Sequence, residues 1–299
     1  MKQLLGKLRN LVSRPVRDSG TTDVGQSRVA DHCDPAGPQF AAMKHDKLVR
    51  IRGLLRPDCN ARFDTAGVVD CLPEALRKKY DIVDTDNVSS HDYDPIALGL
   101  INGAPEGMLL DCGAGLRSTY YANVVNYEIV AYPTTDVLGV GEVLPFNDNS
   151  FDGVLSLNVL EHVKDPFLCA REICRVLKPG GRLYCVVPFL QALHGYPHHY
   201  YNMTHQGLRN LFDGRLEVQD QHVAASGLPI WTLNHILNRW LTGLAGPERD
   251  EFLQMRVQDL IGNPLDYLNQ PVVAVLPAEI NFELASTTSL IAHKPHEKI

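Results

Sequence analysis

The sequence predicts an α/β fold with a doubly wound, mostly parallel sheet, and three observations support this prediction. Short apolar runs alternate with segments of helical periodicity between residues 107 and 187. The run Met-Leu-Leu before Asp111 suits a strand that is buried on both faces. Gly113 and Gly115 follow it, and glycine allows positive φ angles and a close approach of the backbone to a ligand. Alternating strands and helices imply right-handed crossovers and therefore parallel strands.

The chain begins with a basic amphipathic segment, residues 1–17. Its apolar residues recur at helical spacing, basic residues fill other positions, and no acid occurs before Asp18. One interpretation is a helix that makes weak peripheral contact with an anionic membrane. The alternatives are a frayed or docked terminal helix and an organellar targeting peptide. Residues 18–42 are rich in Asp, Gly, Ser, Thr and Pro, which predicts a linker.

The rest of the chain, residues 43–299, is predicted to form one domain. Residues 43–105 are its lead-in. Within it, residues 48–55 form a strand or a short helix. Residues 72–80 form a helix with a proline early and basic residues late. A further helix at 95–102 precedes the sheet.

The elements of the sheet follow in order. Predicted strands lie at 107–112, 127–131, 136–140, 153–156 and 182–187. Predicted helices lie at 116–123 and 166–177, and the sequence Lys-Pro-Gly-Gly ends the second of them.

The chain after the last of these strands is predicted to cover the functional site. Residues 188–275 form a long, mainly helical excursion, with a helix around 230–244. Residues 279–285 and 289–293 are predicted to form an antiparallel hairpin at the end of the chain.

Composition narrows the classes of function. The chain has 299 residues, of which 44% are hydrophobic and 21% charged, as in ordinary globular proteins. The net charge of −7 argues against general nucleic-acid binding. The seven cysteines form no Cys-x-x-Cys pair, so reduced thiols in the cytoplasm are expected and no metal site is predicted from them. No apolar run approaches the roughly 20 residues of a membrane span.

Three further motifs follow the glycine turn in a fixed order. They are Leu-Pro-Phe with Ser-Phe-Asp at 144–152, Val-Leu-Glu-His-Val at 159–163, and Leu-Lys-Pro-Gly-Gly at 177–181. With the glycine turn, they resemble the class I S-adenosylmethionine-dependent methyltransferases, specifically the widespread small-molecule group. The resemblance implies a Rossmann-like sheet of the seven-stranded type that closes with an antiparallel hairpin. It also implies S-adenosyl-L-methionine as the cofactor and methyl transfer as the activity.

The first motif of that family binds the amino-acid end of the cofactor. By resemblance, Asp111 contacts that end, while Gly113 and Gly115 let the backbone approach it. Arg117 stands where the family commonly has a third glycine. Its guanidinium either pairs with the carboxylate of the methionine part or points to solvent. The acidic segment 81–94 either covers the cofactor, as in relatives, or caps the helix that follows.

The next strands supply the rest of the predicted cofactor site. Glu128 is the candidate acceptor for the two ribose hydroxyls, because a carboxylate can accept twice from a vicinal diol. From Glu128 to Asp136 the spacing leaves no room for the usual crossover helix. Val140 stands where the family usually has an acid, so the adenine is expected to be recognised by the backbone near Gly141 or by apolar packing. Leu157 and Asn158 are expected to line the floor under the methionine.

Histidines dominate the predicted acceptor side. His162 opens toward the acceptor in many relatives, and His194, His198 and His199 follow the last strand of the parallel series. Histidine can take a proton near neutral pH, which suits deprotonation of a hydroxyl acceptor. Two alternatives remain: a lid whose aromatic residues pack down, and a metal site at the last three histidines.

The sequence therefore favours an enzyme that methylates a small molecule or glycan, with oxygen as the expected methylated atom. The basic segment 1–17 would suit a lipid-linked acceptor. The main rival is a non-catalytic scaffold with the same fold, which the unusual Val140 and the short crossover would suit. A nicotinamide-binding protein is a third hypothesis, which the missing third glycine argues against.

Overall fold

The computed structural model describes residues 29–64, 67–83, 89–195 and 198–290. The chain divides into two compact units. The first unit consists of Met1–Phe189 and Gly195–His222, and the second of Leu190–His194 and Val223–Ile299. Residues 1–17, with their predicted basic helix, lie outside the described residues.

The first unit is built on strands. They are β1 (His32–Cys33), β2 (Arg62–Phe63), β3 (Val69–Asp70), β4 (Leu109–Cys112), β5 (Tyr120–Tyr121), β6 (Val124–Glu128), β7 (Val137–Leu138), β8 (Phe151–Leu157) and β9 (Leu177–Val186). Seven of them form one sheet in the order β2-β3-β7-β6-β4-β8-β9. Only the β2–β3 pair is antiparallel. The predicted α/β class with a mostly parallel sheet is therefore confirmed.

Helices complete the first unit. They are α1 (Phe40–Leu54), α2 (Glu74–Lys79), α3 (Pro95–Gly103), α4 (Pro166–Val176) and α5 (His205–Phe212). The two helices α3 and α4 begin alike, with an aspartate cap followed by a proline. The Asp94 carboxylate accepts from Ala97 N at 2.8 Å, and the Asp165 carboxylate accepts from Leu168 N at 2.9 Å. Both helices were predicted from the sequence, and this local chemistry shows how each of them begins.

The predicted helix at 116–123 is wrong. These residues instead contain β5, which pairs antiparallel with β1. Because β4 and β6 are adjacent and parallel in the register Leu109↔Val124, the short link of residues 113–123 must cross between them. The buried hydroxyl of Tyr120 donates to Asp136, which holds the link extended. The link from β6 to β7 also has no helix, as the spacing predicted.

The lead-in supplies a helix on this part of the sheet. Leu48 and Ile51 of α1 belong to the same buried cluster as Val125 and Val137 of the neighbouring strands. The prediction of a linker at 18–42 is therefore wrong for residues 29–42, which contain β1 and the start of α1. The polar composition of this stretch predicted a linker because it gives no sign of the pairing between β1 and the distant β5.

The second unit contains four α-helices and three short 3-10 helices among its described residues, and the α-helices form its core. The α-helices are α6 (Pro229–Thr242), α7 (Gly246–Gln254), α8 (Pro271–Ala274) and α9 (Ala278–Glu283). Their core includes Leu244, Phe252, Val272, Leu276 and Ile280. The helix predicted around 230–244 is confirmed by α6. Across all the described ranges, no helix has the length and apolarity required to span a membrane.

The hairpin predicted for the end of the chain is wrong at its first strand. Residues 279–285 lie largely in α9, and residues 289 and 290 form no strand. The Asn281 amide donates to the Pro277 carbonyl oxygen and the Leu284 amide to that of Ile280, both at 3.0 Å, which is the hydrogen-bond pattern of a helix and not of a strand. Residues 291–293 lie outside the described residues. Antiparallel pairs are present elsewhere, in β1–β5 and β2–β3.

Candidate cofactor-binding site

The glycine turn follows the central strand β4. Leu109, Leu110 and Cys112 are buried, as a strand covered on both faces requires. Gly113 and Gly115 have φ angles of +82° and +63°, a region that side chains disfavour. A Cβ atom at Gly113 would lie 2.5 Å from a methyl of Val159, and one at Gly115 would collide with the carbonyl oxygen of Ser89. Both positions therefore need glycine for conformation and for space.

Asp111 is buried at the end of β4 and holds its two oxygens in different surroundings. Its Oδ2 accepts from the Tyr93 hydroxyl at 2.5 Å and from Nε and Nη2 of Arg117 at 3.0 and 2.7 Å. Its Oδ1 is equally buried and has no hydrogen-bond partner. A buried carboxylate oxygen without a donor is unfavourable, which makes Oδ1 a candidate acceptor for a ligand group.

Arg117 faces the protein rather than solvent. Besides the two bonds to Asp111, its Nη1 donates to the carbonyl oxygen of His91 at 2.6 Å. Its guanidinium lies 4.1 Å from the centre of the Tyr93 ring. Burial, followed by the nearby charge of Asp111, raises the pKa of Tyr93, so its hydroxyl remains a donor. Contact of Arg117 with the cofactor's carboxylate remains a prediction.

Glu128 lies at the carboxyl end of β6, next to the glycine turn. Its Oε2 accepts from Gly115 N at 2.8 Å and its Oε1 accepts from Ile129 N at 2.7 Å. Burial raises the pKa of Glu128, and these backbone bonds act against that shift. Each carboxylate oxygen can accept more than one hydrogen bond, so both oxygens can still accept from the two hydroxyls of a diol.

The remaining predicted cofactor residues follow β7 and β8. A Cβ atom at Gly141 would lie 2.6 Å from the sulfur of Cys169, so only glycine fits there. Val140 is buried, and its carbonyl oxygen accepts from the Tyr127 hydroxyl at 2.8 Å. Leu157 is the last residue of β8, and Asn158 turns the chain with a φ angle of +56°. Their roles under the methionine remain predictions.

The histidines of the first unit meet beyond β8. The Nδ1 atom of His162 lies 2.6 Å from the carbonyl oxygen of His198, and its ring lies 5.6 Å from that of His199. Gly195 packs so closely on the His162 ring that a Cβ atom there would collide with it. His194 belongs to the second unit, where its Nδ1 lies 3.0 Å from the carbonyl oxygen of Ala192.

Two residues at these sites were missed by sequence reasoning. Glu161 is fully buried, its Oε1 lies 3.7 Å from Nε2 of His162, and burial raises its pKa to about 7. Its place in a family motif was the available signal. Tyr93 bonds Asp111 across a long stretch of chain, and no local pattern in the sequence indicates that contact.

The acidic segment before α3 lies on the glycine turn. The carbonyl oxygen of Ser89 accepts from Leu116 N at 2.8 Å, and the side chains of Asp92 and Ser118 are hydrogen-bonded. The same segment caps α3 through Asp94. Residues 84–88 lie outside the described residues.

The residues at this edge fit S-adenosylmethionine. The buried Oδ1 of Asp111 matches an ammonium group, and the carboxylate of Glu128 matches the ribose hydroxyls. The glycine turn provides close backbone approach between them. In the conformation described, the carbonyl oxygen of Ser89 lies against Gly115, so Ser89 has to move before a ligand can approach this glycine.

The parallel sheet, the acid-glycine turn and the second acid on the adjacent strand agree with the resemblance to class I methyltransferases. Residues 110–185 match the family model described as a methyltransferase domain. This match runs from β4 into β9 and so includes every predicted cofactor residue.

Comparisons with individual proteins cover only parts of the chain. An uncharacterized methyltransferase of Mycobacterium sp. (strain JLS) is 42% identical over 65 residues, 22% of this chain and 25% of that protein. Cycloartenol-C-24-methyltransferase 1 of Oryza sativa subsp. japonica is 37% identical over 67 residues, 22% of this chain and 18% of that protein. The chain thus spans a quarter or less of the length of these relatives. The crystal structure of the YcgJ protein from Bacillus subtilis is 21% identical, with a TM-score of 0.32 over 48% of this chain and 80% of that one.

Proposed function

We propose that this protein transfers the methyl group of S-adenosyl-L-methionine to a hydroxyl group of a small molecule or glycan. The observation that carries the proposal is the placement of Asp111 and Glu128 on adjacent parallel strands, on either side of a turn where only glycine fits. The match of residues 110–185 to a methyltransferase domain supports it. The seven free cysteines suit a reducing cytoplasm as the place of action.

The bound cofactor supplies a methyl group on a sulfonium, which is a good leaving group. The protein has to orient the cofactor and the acceptor and to exclude water. Asp111 would hold the amino-acid end and Glu128 the ribose, while the backbone near Gly141 would contact the adenine.

Histidine assists this transfer in our proposal. As the acceptor oxygen gains the methyl group, its proton must pass to a base, and an imidazole suits this near neutral pH. His162, His198 and His199 are close together in the first unit and are the candidates there. His194, from the second unit, is retained as a further candidate.

Calorimetric titration with S-adenosylhomocysteine tests the proposal. The wild type should bind, and Glu128→Gln should weaken binding by about tenfold to fiftyfold, because a charge-assisted pair with the ribose hydroxyls is lost. Glu172→Gln is the matched control, since the carboxylate of Glu172 also accepts a backbone N–H, that of Leu144 at 2.9 Å. Absence of binding to the wild type at millimolar ligand would contradict the proposal.

A non-catalytic scaffold is the second candidate function. It is favoured by the position of Ser89, whose carbonyl oxygen takes the Leu116 amide and lies against Gly115. If that contact is permanent, the glycine turn stays closed to ligands. The same titration decides between the two functions, because a scaffold with a closed turn should bind no nucleoside.

A further inference from the structure

The two oxygens of the Asp111 carboxylate have very different partners. Oδ2 takes the Tyr93 hydroxyl and two nitrogens of Arg117, and Oδ1 takes none although it is buried. Donors grouped on one oxygen fix the rotation of the carboxylate, because turning it would break all of these bonds at once. The free oxygen therefore has a set direction.

Tyr93 and Arg117 reach Asp111 from different parts of the chain. Tyr93 lies just before α3, and Arg117 follows the glycine turn. The guanidinium also lies over the Tyr93 ring and bonds the carbonyl oxygen of His91, so each holds the other in place. The two side chains form one cluster with a single target, Oδ2.

The charges of Asp111 and Arg117 are compatible with a ligand group at Oδ1 of Asp111. Asp111 and Arg117 form a buried pair with side chains 0% and 5% exposed, so the pair carries no net charge. The amino-acid end of S-adenosylmethionine is a zwitterion and also carries no net charge. An ammonium group at Oδ1 would satisfy the buried acceptor without leaving a buried net charge.

We infer that Tyr93 and Arg117 are positioning residues that hold Asp111 by Oδ2 and so aim Oδ1 at the ammonium group of the cofactor. This inference rests on the proposed function. It gives Arg117 a different role from direct binding of the cofactor's carboxylate. It also makes Tyr93 part of the site for the amino-acid end of the ligand.

Two ligands separate this role from general support of the fold. S-adenosylhomocysteine carries the amino-acid end, whereas 5′-methylthioadenosine has the same nucleoside without it. Tyr93→Phe and Arg117→Gln should each weaken S-adenosylhomocysteine by about tenfold or more and change 5′-methylthioadenosine by less than about twofold. Glu128→Gln should weaken both ligands, because both contain the ribose. Calorimetry measures each affinity without any turnover.

Matched variants show what a structural role alone would do. Tyr184→Phe removes a hydroxyl that donates to Asp94 at 2.6 Å, and Arg175→Gln removes a guanidinium bonded to Glu172 at 2.7 Å. Both should lower the midpoint of urea unfolding and leave the ratio of the two ligand affinities unchanged. Arg117→Lys should restore part of the selectivity that Arg117→Gln loses.

The outcomes are distinguishable. Equal weakening of both ligands, or of neither, by Tyr93→Phe would overturn the inference while leaving the proposed function intact. Failure of the wild type to bind either ligand would overturn the proposed function itself. Tyr93→Phe keeps the test decisive if Arg117→Gln fails to fold, because it removes one oxygen atom and keeps the ring.

Discussion

Replacing Lys47 with methionine is expected to lower the free energy of unfolding by about 3 to 5 kcal/mol. The Lys47 side chain is 0% exposed, and its Nζ lies 2.9 Å from Asp136 Oδ2 and 2.6 Å from the carbonyl oxygen of Val124. It also lies 3.4 Å from the centre of the Tyr120 ring. Methionine would leave the Asp136 carboxylate buried without its cation. Urea unfolding followed by circular dichroism measures the loss.

An exposed pair provides the control for Lys47. Lys178 Nζ lies 2.8 Å from Asp152 Oδ2, but the Lys178 side chain is 40% exposed. Lys178→Met should therefore cost less than about 1 kcal/mol, as exposed pairs usually do. In the double variant Lys47→Met/Asp136→Asn, the stranded charge is gone, so the loss should be smaller than the sum of the two single losses. A loss below 1 kcal/mol for Lys47→Met alone would contradict the role given to this pair.

Local patterns in the sequence predicted much of the sheet. An apolar run that ends in an acid and two glycines specified β4 and its turn, because each of those residues acts on its own short segment. The aspartate-proline starts of α3 and α4 are likewise local. Glu128 could be placed near Gly115 because parallel neighbouring strands bring their carboxyl ends to one edge.

Long-range contacts decided the features that the sequence did not predict. Lys47 looks like an ordinary surface charge on α1, and only its contact with Asp136 in the folded chain makes it a core residue. The link at 116–123 has helix-compatible residues, yet pairing with β1 draws it into a strand. The hairpin was expected partly from resemblance, whereas residues 278–283 form a helix. For Lys47 and for the link, a distant partner outweighed the local pattern.

The cofactor edge shows the same division between local and distant information. Gly113 and Gly115 predict a ligand-binding turn from the sequence alone. The partners of Asp111 cannot be identified in the same way. Tyr93 and Arg117 bond one oxygen of that carboxylate through tertiary contacts, and its other oxygen has no hydrogen-bond partner. The sequence thus locates the acid, and the fold determines which of its atoms can bind.

Replacing Glu161 with glutamine is expected to stabilise the protein at pH 8 by up to about 3 kcal/mol more than at pH 5. Glu161 is 0% exposed, and burial raises its pKa from 4.5 to about 7. The folded protein therefore binds this proton more tightly than the unfolded chain. The contribution of Glu161 to the free energy of unfolding is fully present below pH 4.5. It is lost as the pH rises through 7, because the buried carboxyl must then ionise.

Glutamine has a similar shape and cannot ionise, so it removes this pH dependence. Urea unfolding at pH 5 and pH 8 measures the difference for the wild type and for Glu161→Gln. Glu74→Gln is the control, because Glu74 is an exposed glutamate in the first turn of α2 and its loss should affect stability little at either pH. If Glu161→Gln raises the free energy of unfolding no more at pH 8 than at pH 5, the raised pKa of Glu161 is contradicted. The expected result would instead mark a protonatable group beside His162, at the position where the proposed reaction releases its proton.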